Sequence, residues 1–134
     1  MMADRKEGNG ANAHRYNIYE QGRMGTNPYD DYELYWSQAP VAYVTKITTP
    51  LLCVQGESDN TVAWIEAVEL YNAMRFNGKN IIMLSYANEG HSLSKRVNKI
   101  DLTKRMLEYF DHYLMDRPAA DWITNGVAFI EKER

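Results

Sequence analysis

The chain has 134 residues, of which 45% are hydrophobic and 25% are charged, and its formal net charge is -3. This length suits one domain with a hydrophobic core, and the composition is that of an ordinary globular protein. The acidic balance argues against binding to nucleic acid or to an anionic membrane surface. A single cysteine excludes an internal disulfide framework and a cysteine-rich metal site, and no motif indicates a metal or a cofactor.

The first 26 residues show no hydrophobic periodicity and are predicted to be disordered or irregular. Residues 1–13 are polar and rich in glycine and asparagine, which predicts disorder, and residues 14–25 are expected to be irregular. No apolar stretch has the pattern of a secretory signal or approaches the roughly 18 residues of a membrane span. The sequence identifies no compartment, and a cytoplasmic location is the default expectation.

A strand–helix–strand unit is predicted in the middle of the chain. The continuous apolar runs 51–55 and 81–86 are typical of parallel strands that helices cover on both faces. Between them, residues 63–77 carry apolar side chains at helical spacing, and Gly78 suits the end of that helix. Two strands joined by a helix of this length form a βαβ unit, so the predicted fold class is α/β.

Further helices are predicted on either side of this unit. Upstream, one short helix is expected near 30–38 with an aspartate cap, and a second is expected to begin at Pro40. Downstream, residues 100–115 show the spacing of a long amphipathic helix. The tail that follows is expected to dock Trp122 onto the body of the domain.

Each predicted strand is followed by a loop that carries one residue suited to acid–base chemistry. Asp59 follows the first strand and His91 follows the second, and functional groups in open α/β sheets gather at the carboxyl ends of the strands. A general-base histidine needs a carboxylate that orients its ring and stabilises its cationic form. Either residue alone is more simply a helix cap or a solvated side chain, but their joint position favours a catalytic pair. Gly56 and Gly90 are expected to give both loops their backbone freedom.

The stretches PLLCVQGESDNTV and NEGHS place a strand that ends in Gly-x-x-Asp, a valine three residues later, and a Gly-His pair after a helix and a strand. The residues at these positions are Gly56, Asp59, Val62, Gly90 and His91. This pattern resembles the C-terminal end of the α/β-hydrolase catalytic domain of prolyl oligopeptidase-type serine peptidases. The resemblance extends over roughly residues 27–127, and dienelactone hydrolases and acetyl esterases share much of it.

The resemblance implies that residues 27–134 are the C-terminal portion of a peptidase catalytic domain with parallel strands and helices on both faces. Asp59 would then be the acid of a Ser-His-Asp triad and His91 its general base. Val62 would lie near the substrate pocket. The partner implied is a peptide substrate, with no cofactor and no metal.

The resemblance also implies a nucleophilic serine upstream, in a Gly-x-Ser-x-Gly turn. None of the five serines lies in that motif: Ser37, Ser58, Ser85, Ser92 and Ser94. The oxyanion hole would be missing together with the nucleophile. We therefore expect a fragment of a serine peptidase that holds the acid and the base, and we expect the chain to be inactive alone.

Two other interpretations stay open at this point. One is an esterase of the same fold, similar to acetyl esterases or dienelactone hydrolases. The other is a non-catalytic remnant that self-associates through an exposed sheet edge. A comparison of ester and peptide substrates would separate the first from a peptidase, and size-exclusion chromatography would identify the second.

Overall fold

The computed structural model describes residues 13–127, so the disorder predicted for residues 1–12 lies outside the described part of the chain. The chain divides into two compact units, Met1–Leu93 and Ser94–Arg134, and each is described by itself. The first unit contains the sheet and most of the loops, and the second is helical. Within the described range, no helix has the length and apolar character needed to cross a membrane.

The first helix, α1 (Ala13–Tyr19), lies where the sequence predicted irregular structure, so that prediction was wrong. The chain folds back after this helix, and the backbone N–H of Gly25 donates to the carbonyl of Ile18 at 3.0 Å. A Cβ on Gly22 would lie 2.4 Å from the carbonyl oxygen of Asn17, and Gly25 has a φ of +71°. Gly22 and Gly25 thus form the turn that ends the helix.

Two short helical segments follow, close to their predicted positions. Helix α2 (Tyr32–Gln38) begins after Asp31, whose carboxylate accepts a hydrogen bond from the backbone N–H of Leu34 at 2.9 Å. The cap therefore satisfies one of the free N–H groups at the start of the helix. The second segment, Pro40–Lys46, is a 3₁₀ helix with Pro40 in its first turn.

The predicted βαβ unit is confirmed, with strands β1 (Leu51–Gly56) and β2 (Ile81–Tyr86) joined by helix α3 (Trp64–Phe76). The strands are parallel, and Leu51 pairs with Ile81 at the start of the register. At the other end Gly56 pairs with Tyr86. Because the two strands are equally long and in register, the loops that follow them leave the sheet at the same level.

A small core holds α3 and the 3₁₀ helix against one face of the sheet. Its buried members are Val44, Met74 and Ile81, and Met74 is fully buried. Half-buried apolar side chains surround them, among them Leu70 and Tyr71 of α3. The buried face of α3 therefore runs along Leu70, Tyr71 and Met74, and it anchors the helix that follows the loop after β1.

The second unit consists of α4 (Arg96–Met115) and the short α5 (Asp121–Thr124). Helix α4 begins about one turn before its predicted start. Trp122 packs on α4, where its indole N–H donates to Glu108 at 2.6 Å and the Arg105 guanidinium lies 5.1 Å from the ring centroid. Trp122 thus packs within the second unit, where Glu108 and Arg105 contact its ring, and its expected docking onto the body of the domain stays a prediction.

Truncation of the core methionine tests this arrangement. We expect Met74→Ala to lower the free energy of unfolding by about 2–5 kcal/mol, because it removes a fully buried side chain and leaves a cavity. The matched control is Phe76→Ala on the same helix, where the ring is 92% exposed and a change within about 0.5 kcal/mol is expected. Urea denaturation of both variants gives the comparison, and equal effects would contradict the assigned core.

Candidate active site

The loops that follow β1 and β2 are joined through their backbones. The N–H of Glu57 donates to the carbonyl of Tyr86 at 3.0 Å, and the N–H of Ser58 donates to the carbonyl of Glu89 at 2.9 Å. These bonds continue the pairing of the strands beyond the sheet. They bring the segment that leads to Asp59 beside the segment that leads to His91.

Gly56 is the residue that permits this close approach. A Cβ at this position would lie 2.3 Å from the carbonyl oxygen of Gly90 and 2.5 Å from that of Glu89, which no side chain tolerates. The expected role of Gly90 was wrong, because a Cβ there would meet nothing within 4 Å and its φ is not positive. The structure therefore requires a glycine at the end of β1 for space, and it places no such requirement on Gly90.

The structure brings the two predicted catalytic side chains together. His91 Nδ1 lies 3.0 Å from Asp59 Oδ2. The Asp59 side chain is 4% exposed, whereas that of His91 is 59% exposed. The carboxylate is thus buried beneath an imidazole that is open to solvent on its other side, as an acid that orients a base requires.

Asp59 is held by hydrogen bonds to both of its oxygens. Oδ1 accepts from the backbone N–H groups of Thr61 at 2.7 Å and Val62 at 2.9 Å. Oδ2 accepts from Gln55 Nε2 at 3.0 Å and faces His91 Nδ1. Burial alone would raise the pKa of Asp59, but these hydrogen bonds, that from Val62 first, outweigh it and lower the pKa below 3.8. Asp59 therefore stays ionised.

Val62 contributes to the site through its backbone. Its N–H donates to Asp59, and its carbonyl oxygen accepts from Gln55 Nε2 at 3.0 Å. The side chain is half-buried. The structure thus places Val62 beside Asp59, and its predicted nearness to a substrate pocket stays a prediction.

Sequence reasoning missed the residues whose hydrogen bonds hold the loops after β1 and β2 in place. The indole N–H of Trp64 donates to Ser85 Oγ at 2.9 Å, and that hydroxyl donates to Glu57 Oε1 at 2.8 Å. These two hydrogen bonds link the start of α3, the end of β2 and the loop after β1. Gln55 was also missed, although a polar residue inside the apolar run LLCVQG was a visible signal.

Among the described residues, no serine forms a hydrogen bond with the ring of His91. Within residues 13–127, which include all five serines, the ring of His91 forms one hydrogen bond, from Nδ1 to Asp59. Among the same residues, no group of three or more histidine, cysteine, aspartate or glutamate side chains could hold a metal ion.

A parallel βαβ unit with a carboxylate–imidazole pair on the loops after its strands is consistent with part of an α/β-hydrolase fold. The chain belongs to the prolyl oligopeptidase family, whose sequence model matches residues 10–117. The family resemblance of the sequence is thereby confirmed, as is the α/β-hydrolase fold class. Family membership places the chain among serine-peptidase-like hydrolases.

Individual relatives agree with this assignment. The chain is 29% identical over 89 residues to the uncharacterized peptidase YuxL of Bacillus subtilis, a match that covers 64% of this chain and 14% of the relative. It is also 29% identical over 58 residues to the acylamino-acid-releasing enzyme of Homo sapiens, covering 43% of this chain and 8% of that enzyme. The chain thus spans a small part of the length of the curated relatives it matches.

The crowding at Gly56 leads to a prediction. We expect Gly56→Ala to lower the free energy of unfolding by at least about 1–3 kcal/mol, because the added methyl group forces the two loops apart. Gly90→Ala is the matched control, with an expected change within about 0.5 kcal/mol. Urea denaturation measures both, and tolerance of alanine at Gly56 would contradict the close approach.

The hydrogen bonds of Asp59 predict a pH dependence of stability. Because the folded state lowers its pKa below 3.8, Asp59 stabilises the fold above that pH, and this contribution is lost as the pH falls through the folded pKa. At neutral pH we expect Asp59→Asn to lower the free energy of unfolding by about 2 kcal/mol, a value within the range for hydrogen bonds to a charged group. Urea denaturation of both proteins across the acid range should show the difference shrinking below pH 3.8. A difference that does not vary with pH would rule this out.

Proposed function

We propose that this chain supplies the acid and the base of a Ser-His-Asp triad to a serine peptidase of the prolyl oligopeptidase family. In this proposal the chain is the C-terminal portion of the catalytic domain, and the nucleophile belongs to another part of the protein. The single observation that carries the proposal is the 3.0 Å contact between His91 Nδ1 and a buried, ionised Asp59. Family membership supplies the reaction class.

The geometry gives each residue a defined role. Asp59 accepts the Nδ1–H of His91, which leaves Nε2 with a lone pair on the solvent side of the ring. Nε2 then takes the proton of the serine hydroxyl as its oxygen attacks the peptide carbonyl, and it passes that proton to the leaving amine. A water molecule attacks the acyl-enzyme in the same way, and Asp59 stabilises the imidazolium in both steps.

The serine and the oxyanion hole are assigned to sequence outside these 134 residues. The support for this assignment is the absence of a Gly-x-Ser-x-Gly motif and the 14% of the Bacillus relative that the chain covers. The backbone N–H groups that bind the oxyanion would accompany that serine. Peptides are the proposed substrates, and the human relative's name makes peptides with an acylated first residue a reasonable member of any test panel.

The proposal predicts different behaviour for the chain alone and for a longer product. The 134-residue chain should show negligible hydrolysis of chromogenic peptides that carry Pro, Ala or an acylated residue. The coding sequence upstream of Met1 should encode a Gly-x-Ser-x-Gly motif, and the longer product should hydrolyse such peptides. In that product we expect His91→Ala to reduce kcat by about 10⁴-fold or more.

The matched control is His112→Ala, because His112 lies on α4 and its Nδ1 contacts the carbonyl of Arg117. This variant should keep its activity. Peptidase activity of the short chain that His91→Ala abolishes, or a longer product whose activity survives His91→Ala, would overturn the proposal. Hydrolysis of simple esters without hydrolysis of peptides would identify an esterase instead.

A further inference from the structure

Gln55 occupies an unusual place at the end of β1. It is the polar member of an apolar strand, one residue before the crowded Gly56, and it is half-buried. Its amide nitrogen donates two hydrogen bonds, to Asp59 Oδ2 at 3.0 Å and to the carbonyl of Val62 at 3.0 Å. Both partners are acceptors only, so the amide has one possible orientation, with its NH₂ group towards them.

We propose that Gln55 is a positioning residue that fixes the Asp59 carboxylate in the orientation that His91 needs, an inference that rests on the proposed function. Asp59 Oδ1 is held by two backbone N–H groups of its own loop, whereas Oδ2 is held by two side chains, Gln55 and His91. Rotation of the carboxylate about its Cβ–Cγ bond would break all four contacts. Gln55 therefore keeps Oδ2 facing Nδ1 independently of the histidine.

The second hydrogen bond of Gln55 strengthens this role. By binding the carbonyl of Val62, the amide spans the turn from Asp59 to Val62 and ties it to the strand. The loop thus cannot move the carboxylate away from the sheet without losing both bonds at once. The consequence for chemistry lies in the tautomer of His91, because an acceptor held at Nδ1 favours the tautomer whose Nε2 can take a proton.

The identity of the side chain is decisive for this function. A leucine would fill similar space but donate nothing to Asp59. A glutamate would keep the length of the side chain but set a second carboxylate within hydrogen-bonding distance of Asp59, where like charges repel. Gln55→Leu and Gln55→Glu therefore remove the same donor through different chemistry, and a common effect of both identifies the donor as the cause.

The test is ¹⁵N NMR of the histidine rings in the 134-residue chain at a pH where His91 is neutral. In the unmodified chain we expect the Nδ1–H tautomer of His91 to dominate. In Gln55→Leu and Gln55→Glu we expect the ratio of Nδ1–H to Nε2–H to fall by roughly three- to tenfold, the equivalent of the net contribution of one ordinary hydrogen bond. Gln38→Leu is the matched control, since that exposed amide bonds only the neighbouring Ser37 hydroxyl, and the ratio should not change.

Two results would overturn the inference, and they are distinguishable. If the unmodified chain shows the Nδ1–H tautomer and both variants retain it with unchanged amide spectra elsewhere, Gln55 does not position Asp59, while the proposed function stands. If the unmodified chain itself lacks the Nδ1–H tautomer, the Asp59–His91 pair fails as an acid and base, and the role of Gln55 fails with it. Should Gln55→Leu not fold, Gln55→Met, which is uncharged and also lacks the donor, takes its place beside Gln55→Glu.

Discussion

The site depends on the close approach of two loop backbones at the carboxyl end of a two-stranded sheet. Gly56 lies against the carbonyls of Glu89 and Gly90 at distances that exclude any Cβ. This contact sets the spacing of the two loops that follow the strands. Once the backbones are this close, the N–H of Ser58 can bond the carbonyl of Glu89. The 3.0 Å contact between the acid and the base follows from that spacing. The carboxyl ends of parallel strands lie at the same edge of a sheet, where functional groups gather. The close approach of the two backbones gives this general proximity a defined distance between Asp59 and His91.

The burial of Asp59 would be unfavourable without the donors that surround it. An ionised carboxylate removed from water costs several kcal/mol unless it is paired and hydrogen-bonded. Four groups donate hydrogen bonds to the Asp59 carboxylate. They are two backbone N–H groups, the Gln55 amide and the His91 ring. Two of these donors are backbone N–H groups of the loop that carries Asp59. The folding of that loop therefore also stabilises the charge of the Asp59 carboxylate.

The sequence was sufficient to predict the periodic elements and the pairing of Asp59 with His91. It was insufficient to predict the contacts that hold these two residues in place. The β2 bounds and the cap at Asp31 were predictable, because apolar runs and capping residues act locally. Helix α1 was not, because its residues show no hydrophobic periodicity and the turn at Gly22 and Gly25 that ends it depends on a close approach of the backbone. The different roles of Gly56 and Gly90 were also hidden, because steric crowding between distant segments leaves no local pattern. Gln55 was visible as a polar residue in an apolar strand, but its partners were not.

Asp59 and His91 are brought together by the two ends of one βαβ unit. Every donor to Asp59 lies between Gln55 and His91, a segment that contains the end of β1, all of α3 and all of β2. The geometry of the pair is therefore fixed by local pairing and by the small core around Met74. In the proposed enzyme, such an arrangement separates two tasks. One segment prepares a base with a defined tautomer, and another has only to present a serine hydroxyl to it.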